Sequence, residues 1–119
     1  MSRDYKKLKV FHAVDDLVVA VYGATAAFPR EERFGLTSQM RRAAVSVPAN
    51  IVEGAARYSD GEFAHFLNIA YGSLAELRYF LHLSKRLGFL DEDAHAPIAA
   101  QADEASRMLN GLMKSVRNQ

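Results

Sequence analysis

Apolar residues recur along this chain every three or four positions, which is the spacing of one face of an amphipathic helix. The pattern predicts helices over about residues 7–28, 36–57, 60–87 and 92–116. No segment keeps the two-residue alternation of a half-buried strand. Long helices with short connections predict an all-α, antiparallel up-down four-helix bundle that forms a single domain over residues 1–119.

Two helix starts differ in the strength of their local signals. Ser59 and Glu62 form a capping box, which predicts a well-defined start for the third helix. The start of the fourth helix stays open. Asp91 could cap it and leave Pro97 inside the helix, whereas a short turn over 91–95 before the main helix fits equally well.

Pro48 lies inside the second predicted helix. A proline there removes one backbone donor and presses its ring against the carbonyl four residues earlier, that of Ala44, at a cost of about 3 kcal/mol. Sharp kinks in helices occur mostly at such residues. The sequence therefore predicts that the second helix bends at Pro48.

The first predicted helix has no charged residue on any face between positions 17 and 28. A helix that is apolar all round is normally buried all round. Since a four-helix monomer covers only part of each helix, we expect further copies of the chain to cover the rest. The alternative is a broad apolar face that neighbouring side chains of the same subunit cover.

Composition narrows the possible classes of protein. Hydrophobic residues make up 50% of the chain, which argues against disorder, and the absence of cysteine excludes disulfides and thiolate chemistry. No secretory signal is visible, and the longest apolar stretch is well below the ~20 residues that span a bilayer. These features favour a cytoplasmic protein without membrane contact. The net charge of +1 gives little support to nucleic-acid binding.

Polar residues recur along the facing sides of the second and third predicted helices, where Gly72 would let the backbones approach closely. Glu53 and His65 could act there as acid and base. We favour a structural polar seam that fixes helix register, because no nucleophile or oxyanion arrangement accompanies the pair. The seam comprises Arg42, Asn50, Glu53, His65, Asn68 and Glu76, and the expected pairs are Arg42 with Glu76, Ser46 with Gly72, Asn50 with Asn68, and Glu53 with His65.

Two Glu-x-x-His pairs, Glu62 with His65 and Glu92 with His95, look like the metal ligands of di-iron bundles. Both pairs lie at helix starts, and the third and fourth helices are predicted to run in opposite directions. The pairs would then lie about 35 Å apart, too far to share a metal. No catalytic residue, metal site or cofactor is predicted.

In an up-down bundle, both chain ends, the end of the second helix and the start of the third meet at one end of the molecule. Basic residues collect there, and repeated copies of them in an oligomer could bind phosphate backbones. The alternative is a solvated pair of mobile chain ends. We call this set the basic pole: Arg3, Lys6, Lys7, Lys9, Arg57, Lys114 and Arg117.

The segment at residues 35–54, GLTSQMRRAAVSVPANIVEG, closely resembles the "four helix bundle protein" family, also called the 23S rRNA intervening-sequence protein family. The similarity covers nearly the whole chain and is strongest over residues 22–88. It continues through Arg57, Phe63, Phe66, Leu67, Ala70, Gly72, Ser73, Leu74 and Glu76.

The resemblance implies an up-down bundle that assembles into a homopentamer. Some relatives are encoded inside intervening sequences of large-subunit rRNA genes. Another is the accessory variability determinant of diversity-generating retroelements, which binds a reverse transcriptase and nucleic acid through a basic surface. The family supplies no catalytic residues.

We therefore expect a non-enzymatic, homo-oligomeric module with a scaffold or RNA-associated accessory role. Its expected partners are copies of itself and either RNA or a nucleic-acid-processing protein. The alternative is a protein-binding adaptor that makes no contact with nucleic acid.

Overall fold

The computed structural model describes residues 2–117 and contains no strand within that range. Two short 3-10 turns, Tyr5–Lys7 and Arg30–Glu32, precede the first and second helices. The prediction of an all-α chain with four helices is confirmed. These are α1 (Lys9–Thr25), α2 (Leu36–Ala55), α3 (Asp60–Arg86) and α4 (Glu92–Arg117).

Helix α1 is shorter than the sequence predicts at both ends. At its start, the carboxylate of Asp4 accepts a hydrogen bond from the Lys6 amide (3.0 Å) and closes a separate turn, after which Leu8 is extended. At its end, the Phe28 amide donates to the carbonyl of Thr25 (3.0 Å), a tighter turn that comes just before Pro29. The local turn at Asp4 and the residue before Pro29, where the α conformation is disfavoured, set the two boundaries.

Helices α2 and α3 are separated by the short connection over residues 56–59. The Glu62 amide donates to the hydroxyl of Ser59 (3.1 Å), and that hydroxyl donates to the Glu62 carboxylate (3.2 Å). The predicted capping box is therefore confirmed. Helix α3 ends before Gly88, whose φ of 80° lies in the left-handed region that glycine adopts without a Cβ clash.

Helix α4 begins at Glu92, and the carboxylate of Asp91 accepts a hydrogen bond from the Ala94 amide (2.8 Å). Pro97 lies inside the helix. Of the two alternatives for this start, the structure therefore adopts the one with Asp91 as the cap. Pro48 similarly lies inside a continuous α2, and the bend at this residue stays a prediction.

The helices form a square array over the described residues. Helix α1 packs against α2 and α4, and α3 packs against the same two, while no Cα atoms of the diagonal pairs lie within 8 Å of each other. A single cluster of buried apolar side chains fills the centre. The largest of them are fully buried and come from all four helices: Leu17, Met40, Ile51, Phe63, Leu67, Leu74, Leu77, Leu81 and Leu109.

Gly54, and not Gly72, lies where α2 and α3 approach closely. A Cβ on Gly54 would lie 2.7 Å from the Cβ of Phe66 and 3.1 Å from Cδ1 of Phe63, closer than real side chains pack. Gly72 is exposed, and a Cβ there would meet nothing within 4 Å. The expectation for Gly72 is corrected because the rotation of α3 turns this residue toward solvent.

Where α2 and α3 are in contact, residue numbers decrease along α2 as they increase along α3. Gly54 lies beside Phe63, Ser46 bonds to Ser73, and the hydroxyl of Ser84 donates to the sulfur of Met40. Helices α3 and α4 follow the same order. Arg78 pairs with Asp103, and Lys85 pairs with Glu92.

No helix among residues 2–117 combines the length and apolar character that crossing a membrane would require.

Candidate nucleic-acid interface

The first residues of the described chain lie across the junction of α2 and α3. The Arg3 amide donates to the carbonyl of Ala55 (2.7 Å), and its guanidinium pairs with the carboxylate of Asp60. The same guanidinium lies 4.3 Å from the centroid of the Phe63 ring. Arg3 therefore belongs to the end of the molecule where α2 finishes and α3 begins, and its charge is balanced there.

Three of the four lysines of the basic pole lie on the Tyr5–Lys7 turn and at the first residue of α1. All three, Lys6, Lys7 and Lys9, are exposed. The ammonium of Lys6 lies 5.9 Å from the centroid of the Tyr5 ring, a contact that leaves its charge accessible. None of the three forms an ion pair with another described residue.

The remaining free cations of the pole come from the last turn of α4. Lys114 and Arg117 are exposed, and neither pairs with an acidic side chain in the part of the chain that the structure describes. Basic residues at a helix C-terminus also interact favourably with its unpaired carbonyls. A cavity of about 280 Å³ between the start of α1 and the end of α4 shows that these elements meet; it is lined by Leu8, Lys9, Val10, Met108 and Leu112.

Arg57 differs from the lysines because it is paired within its own segment. Its guanidinium lies 3.0 Å from the Glu53 carboxylate and 5.0 Å from the centroid of the Phe66 ring. The basic pole thus has two classes of cation. Arg3 and Arg57 are paired and partly stacked on phenylalanine rings, whereas the other members are free to meet an external anion.

The polar seam residues are placed differently from the expected pairs. The hydroxyl of Ser46 meets that of Ser73 (2.8 Å) rather than the backbone at Gly72. The side-chain amide of Asn50 donates to the Ser46 carbonyl (2.8 Å) and hydroxyl (3.0 Å) within α2. Only one polar contact therefore crosses from α2 to α3 at this level.

Glu53 pairs with Arg57 on its own chain segment, while the ring of His65 lies against that of Phe66, with centroids 5.4 Å apart. The other three seam residues, Arg42, Asn68 and Glu76, are exposed, and the described residues offer them neither a hydrogen bond nor an ion pair. The physical reason is that apolar residues of α3 occupy the positions facing α2. A stabilising role for this set stays a prediction.

The junction between α3 and α4 carries charged residues of both signs. Lys85, in the last turn of α3, pairs with Glu92 at the start of α4 (2.5 Å). The hydrogen bond and charge of Lys85 lower the pKa of the Glu92 carboxyl below its ordinary value. Within residues 2–117, no three His, Asp or Glu side chains converge as a metal site would need.

Sequence reasoning missed a groove of about 570 Å³ between the end of α1, the connection that follows it and the first half of α2. We call it the arginine groove. Arg41 and Arg42 gave a weak signal, since they share an exposed turn of α2, but Phe34 lies in a predicted connection and gave none. The groove is defined here by Tyr22, Arg33, Phe34, Thr37, Arg41 and Arg42.

Comparisons with known proteins agree with this architecture. A solved structure from Bacteroides thetaiotaomicron VPI-5482, described as a protein with unknown function from the S23 ribosomal protein family, has a similar fold with a TM-score of 0.81. It is 24% identical in sequence, and the match covers 88% of this chain and 95% of that chain. No curated protein matches.

The family model described as 23S rRNA-intervening sequence protein matches residues 6–111. That range includes all of α1, α2 and α3 and most of α4. Neither this description nor that of the solved structure names a reaction. The chain therefore belongs to the 23S rRNA-intervening sequence protein family.

Proposed function

We propose that this chain is a non-enzymatic, homo-oligomeric helical module with an RNA-associated accessory role in the cytoplasm. It contacts RNA through its basic pole. The observation that carries the proposal is that five members of the pole are exposed and have no acidic partner among the described residues: Lys6, Lys7, Lys9, Lys114 and Arg117.

The proposed subunit is an antiparallel up-down bundle. The descending contact order between α2 and α3, and between α3 and α4, supports this topology. The packing of the helices also supports it, because each helix contacts those next to it in sequence and α1 contacts α4. This topology brings the start of α1 and the end of α4 to the same end of the molecule, so that their cations form one surface.

Self-association is supported by the outer face of α1. Val19 is 69% exposed, and Gly23 and Ala26, one and two turns further along the same face, are also exposed, in the segment that has no charged residue. Exposed apolar groups of this size mark interaction surfaces when they adjoin one another. The proposed subunit number of five comes from the family resemblance alone.

Free lysines suit a phosphate backbone because each one that neutralises a phosphate releases a condensed counterion. For single strands, the slope of log K against log salt concentration changes by about 0.7 for each such contact. An oligomer multiplies these contacts, which would offset the net charge of only +1 per chain. Binding should therefore weaken steeply as salt rises.

The test compares two charge-matched double variants in binding to a single-stranded RNA of 30 nucleotides. Lys7→Gln with Lys114→Gln removes two free cations of the pole. Arg86→Gln with Arg107→Gln removes two exposed cations outside it. We expect the first pair to flatten the salt dependence by about 1.4 in slope and the second to change it much less. Equal effects of both pairs, or no RNA binding at all, would refute the role of the pole.

A protein-binding adaptor without nucleic-acid contact is the second candidate. The exposed side chains of Tyr79 and Leu87 on and after α3 favour it, since they form apolar surface away from the basic pole. Native mass spectrometry of protein isolated from its own cells separates the candidates. RNA in the complex supports the first, while a second polypeptide with no RNA supports the adaptor. The same spectrum gives the number of subunits.

A further inference from the structure

Every charged side chain in the described lining of the arginine groove is an arginine. Its three arginines are Arg33, Arg41 and Arg42, and no carboxylate lines it. Glu32, in the turn before α2, is engaged in capping, because its carboxylate accepts a hydrogen bond from the Leu36 amide (3.3 Å). A concave site lined by one sign of charge concentrates ligands of the opposite sign.

A second cavity, of about 290 Å³, adjoins the groove and extends the same charge. It shares Arg33, Thr37 and Arg41 with the groove and adds Arg30, again without a carboxylate in its described lining. Four arginines therefore line two neighbouring cavities, which is more cationic groups than a single phosphate group can contact. This number favours an anion with several phosphates over a single small one.

Arg41 is held in position by the end of α1. Its Nε donates to the hydroxyl of Thr25 (2.9 Å), and its guanidinium lies 4.6 Å from the centroid of the Tyr22 ring. The Thr25 hydroxyl in turn donates to the carbonyl of Val21 (2.8 Å). The guanidinium is therefore oriented by neutral groups, and its charge is not cancelled by a carboxylate among the described residues.

Phe34 is the most exposed large hydrophobic residue in the described chain, at 86%. The guanidinium of Arg33 lies over one face of this ring, 5.0 Å from its centroid, and the high exposure of Phe34 leaves the opposite face open. Nucleic-acid bases stack on such rings, whereas the neighbouring guanidinium meets phosphate. Double-stranded nucleic acid does not present free base faces, so the arrangement suits a single strand.

We propose that the arginine groove binds a short segment of single-stranded nucleic acid, with its phosphates on Arg33, Arg41 and Arg42 and a base stacked on Phe34. The proposal goes beyond the basic pole, since the two surfaces share no residue. They lie toward opposite ends of α1, which is about 25 Å long. The same chemistry belongs to RNA and DNA, and the test includes both.

The probes are fluorescein-labelled tetranucleotides, rA4 and dA4, which are short enough to occupy the groove alone. Anisotropy is measured with the intact wild-type protein and with Phe34→Leu and Arg42→Gln. We expect Phe34→Leu to weaken binding roughly tenfold or more, which is the usual effect of losing one stacked base. Arg42→Gln should weaken binding severalfold and reduce the salt slope by about 0.7.

Two matched controls lie outside the groove. Tyr79→Leu removes another exposed aromatic ring, and Arg86→Gln removes another exposed cation, both on α3. Both controls should leave tetranucleotide affinity unchanged, as should the variant Lys7→Gln with Lys114→Gln at the basic pole. The hypotheses for the arginine groove and for the basic pole can thus be refuted independently. The tetranucleotides test the groove, and the RNA of 30 nucleotides tests the pole.

Three results would overturn the proposal. The first is that neither tetranucleotide binds wild-type protein saturably at millimolar concentration. The second is that the control variants weaken binding as much as the groove variants do. The third is that Phe34→Leu and Arg42→Gln lower the sedimenting mass without lowering tetranucleotide affinity, which would make the groove a contact between copies of the chain. A preference for rA4 over dA4 would identify RNA as the ligand.

Discussion

The inner face of α2 is closed against α3, whereas its outer face lies open beside the end of α1. On the inner side, Met40, Val47 and Ile51 are buried, and the helices approach so closely that Gly54 has no room for a side chain. On the outer side, Val45 is partly exposed and Arg42 has no partner among the described residues.

The difference shows that residues only a few positions apart on α2 act differently, because some hold the subunit together and others remain open to solvent. Shape complementarity on the inner face fixes how α2 sits on α3, and little substitution is tolerated there. The outer face contributes little to the subunit's own packing, so its side chains are available for ligands or for further copies of the chain. Substitutions on the two faces should therefore have effects of different size.

The largest difference is expected between Ile51→Ala and Val45→Ala, two truncations on the same helix. Ile51 is fully buried, so its loss should lower the free energy of unfolding by about 2–5 kcal/mol. Val45 is 41% exposed, and its loss should cost less than about 1 kcal/mol in the isolated subunit. Urea denaturation of both variants measures the contrast. Equal losses would show that the outer face is as closely packed as the inner one.

Gly54→Ala and Gly72→Ala should change stability in opposite directions. The new Cβ at Gly54 would meet the Cβ of Phe66 at 2.7 Å, so α3 must shift, at a cost of about 1–3 kcal/mol. The new Cβ at Gly72 meets nothing and should raise stability by roughly 0.5–1 kcal/mol, because alanine favours helix. Thermal unfolding by circular dichroism reports both. A stabilised Gly54→Ala protein would contradict the close approach.

Ser46→Ala removes the hydroxyl that meets Ser73 on α3 and that also accepts a hydrogen bond from the Asn50 amide on α2. We expect a loss of about 1 kcal/mol, because the half-buried Ser73 hydroxyl loses its partner. Ser38→Ala is the control. Ser38 is also a half-buried serine on α2, but it lies near the start of the helix and lines the arginine groove. If the two variants unfold at the same urea concentration, the contact between the serines does not stabilise the subunit.

Glu76→Ala should have the smallest effect. Glu76 is exposed and has no hydrogen-bond or ion-pair partner in the described part of the chain, so we expect a change within about 0.5 kcal/mol. The polar seam hypothesis instead requires a clear drop in melting temperature through a lost contact with Arg42. A double-mutant cycle with Arg42→Ala decides between them. A coupling energy well above zero would restore the seam.

Features set by neighbouring residues in sequence were the ones that sequence reasoning identified correctly. The capping box of Ser59 and Glu62 and the periodicity of all four helices depend on spacing within one turn or a few turns. The ends of α1 were less predictable, because local turns at Asp4 and before Pro29 compete with helix formation. Periodicity does not record such competition.

Features that depend on how one helix is rotated against another were not identified. Gly72 and Gly54 look equivalent in the sequence, but only Gly54 faces α3 at close range. The predicted pairs of the polar seam required every polar residue to lie between α2 and α3. In the structure, mostly apolar side chains occupy those facing positions. The arginine groove draws on α1, a connection and α2, and no single stretch of sequence contains that combination.

The sequence by itself determined that this chain is helical, where most of its helices start and which family it belongs to, because these follow from local periodicity, caps and a long motif. Tertiary structure decided which glycine permits close packing, which cations are paired and which remain free, and where arginines and aromatic rings meet. Those outcomes depend on the rotation and offset of helices that are far apart in sequence, which side-chain packing alone sets.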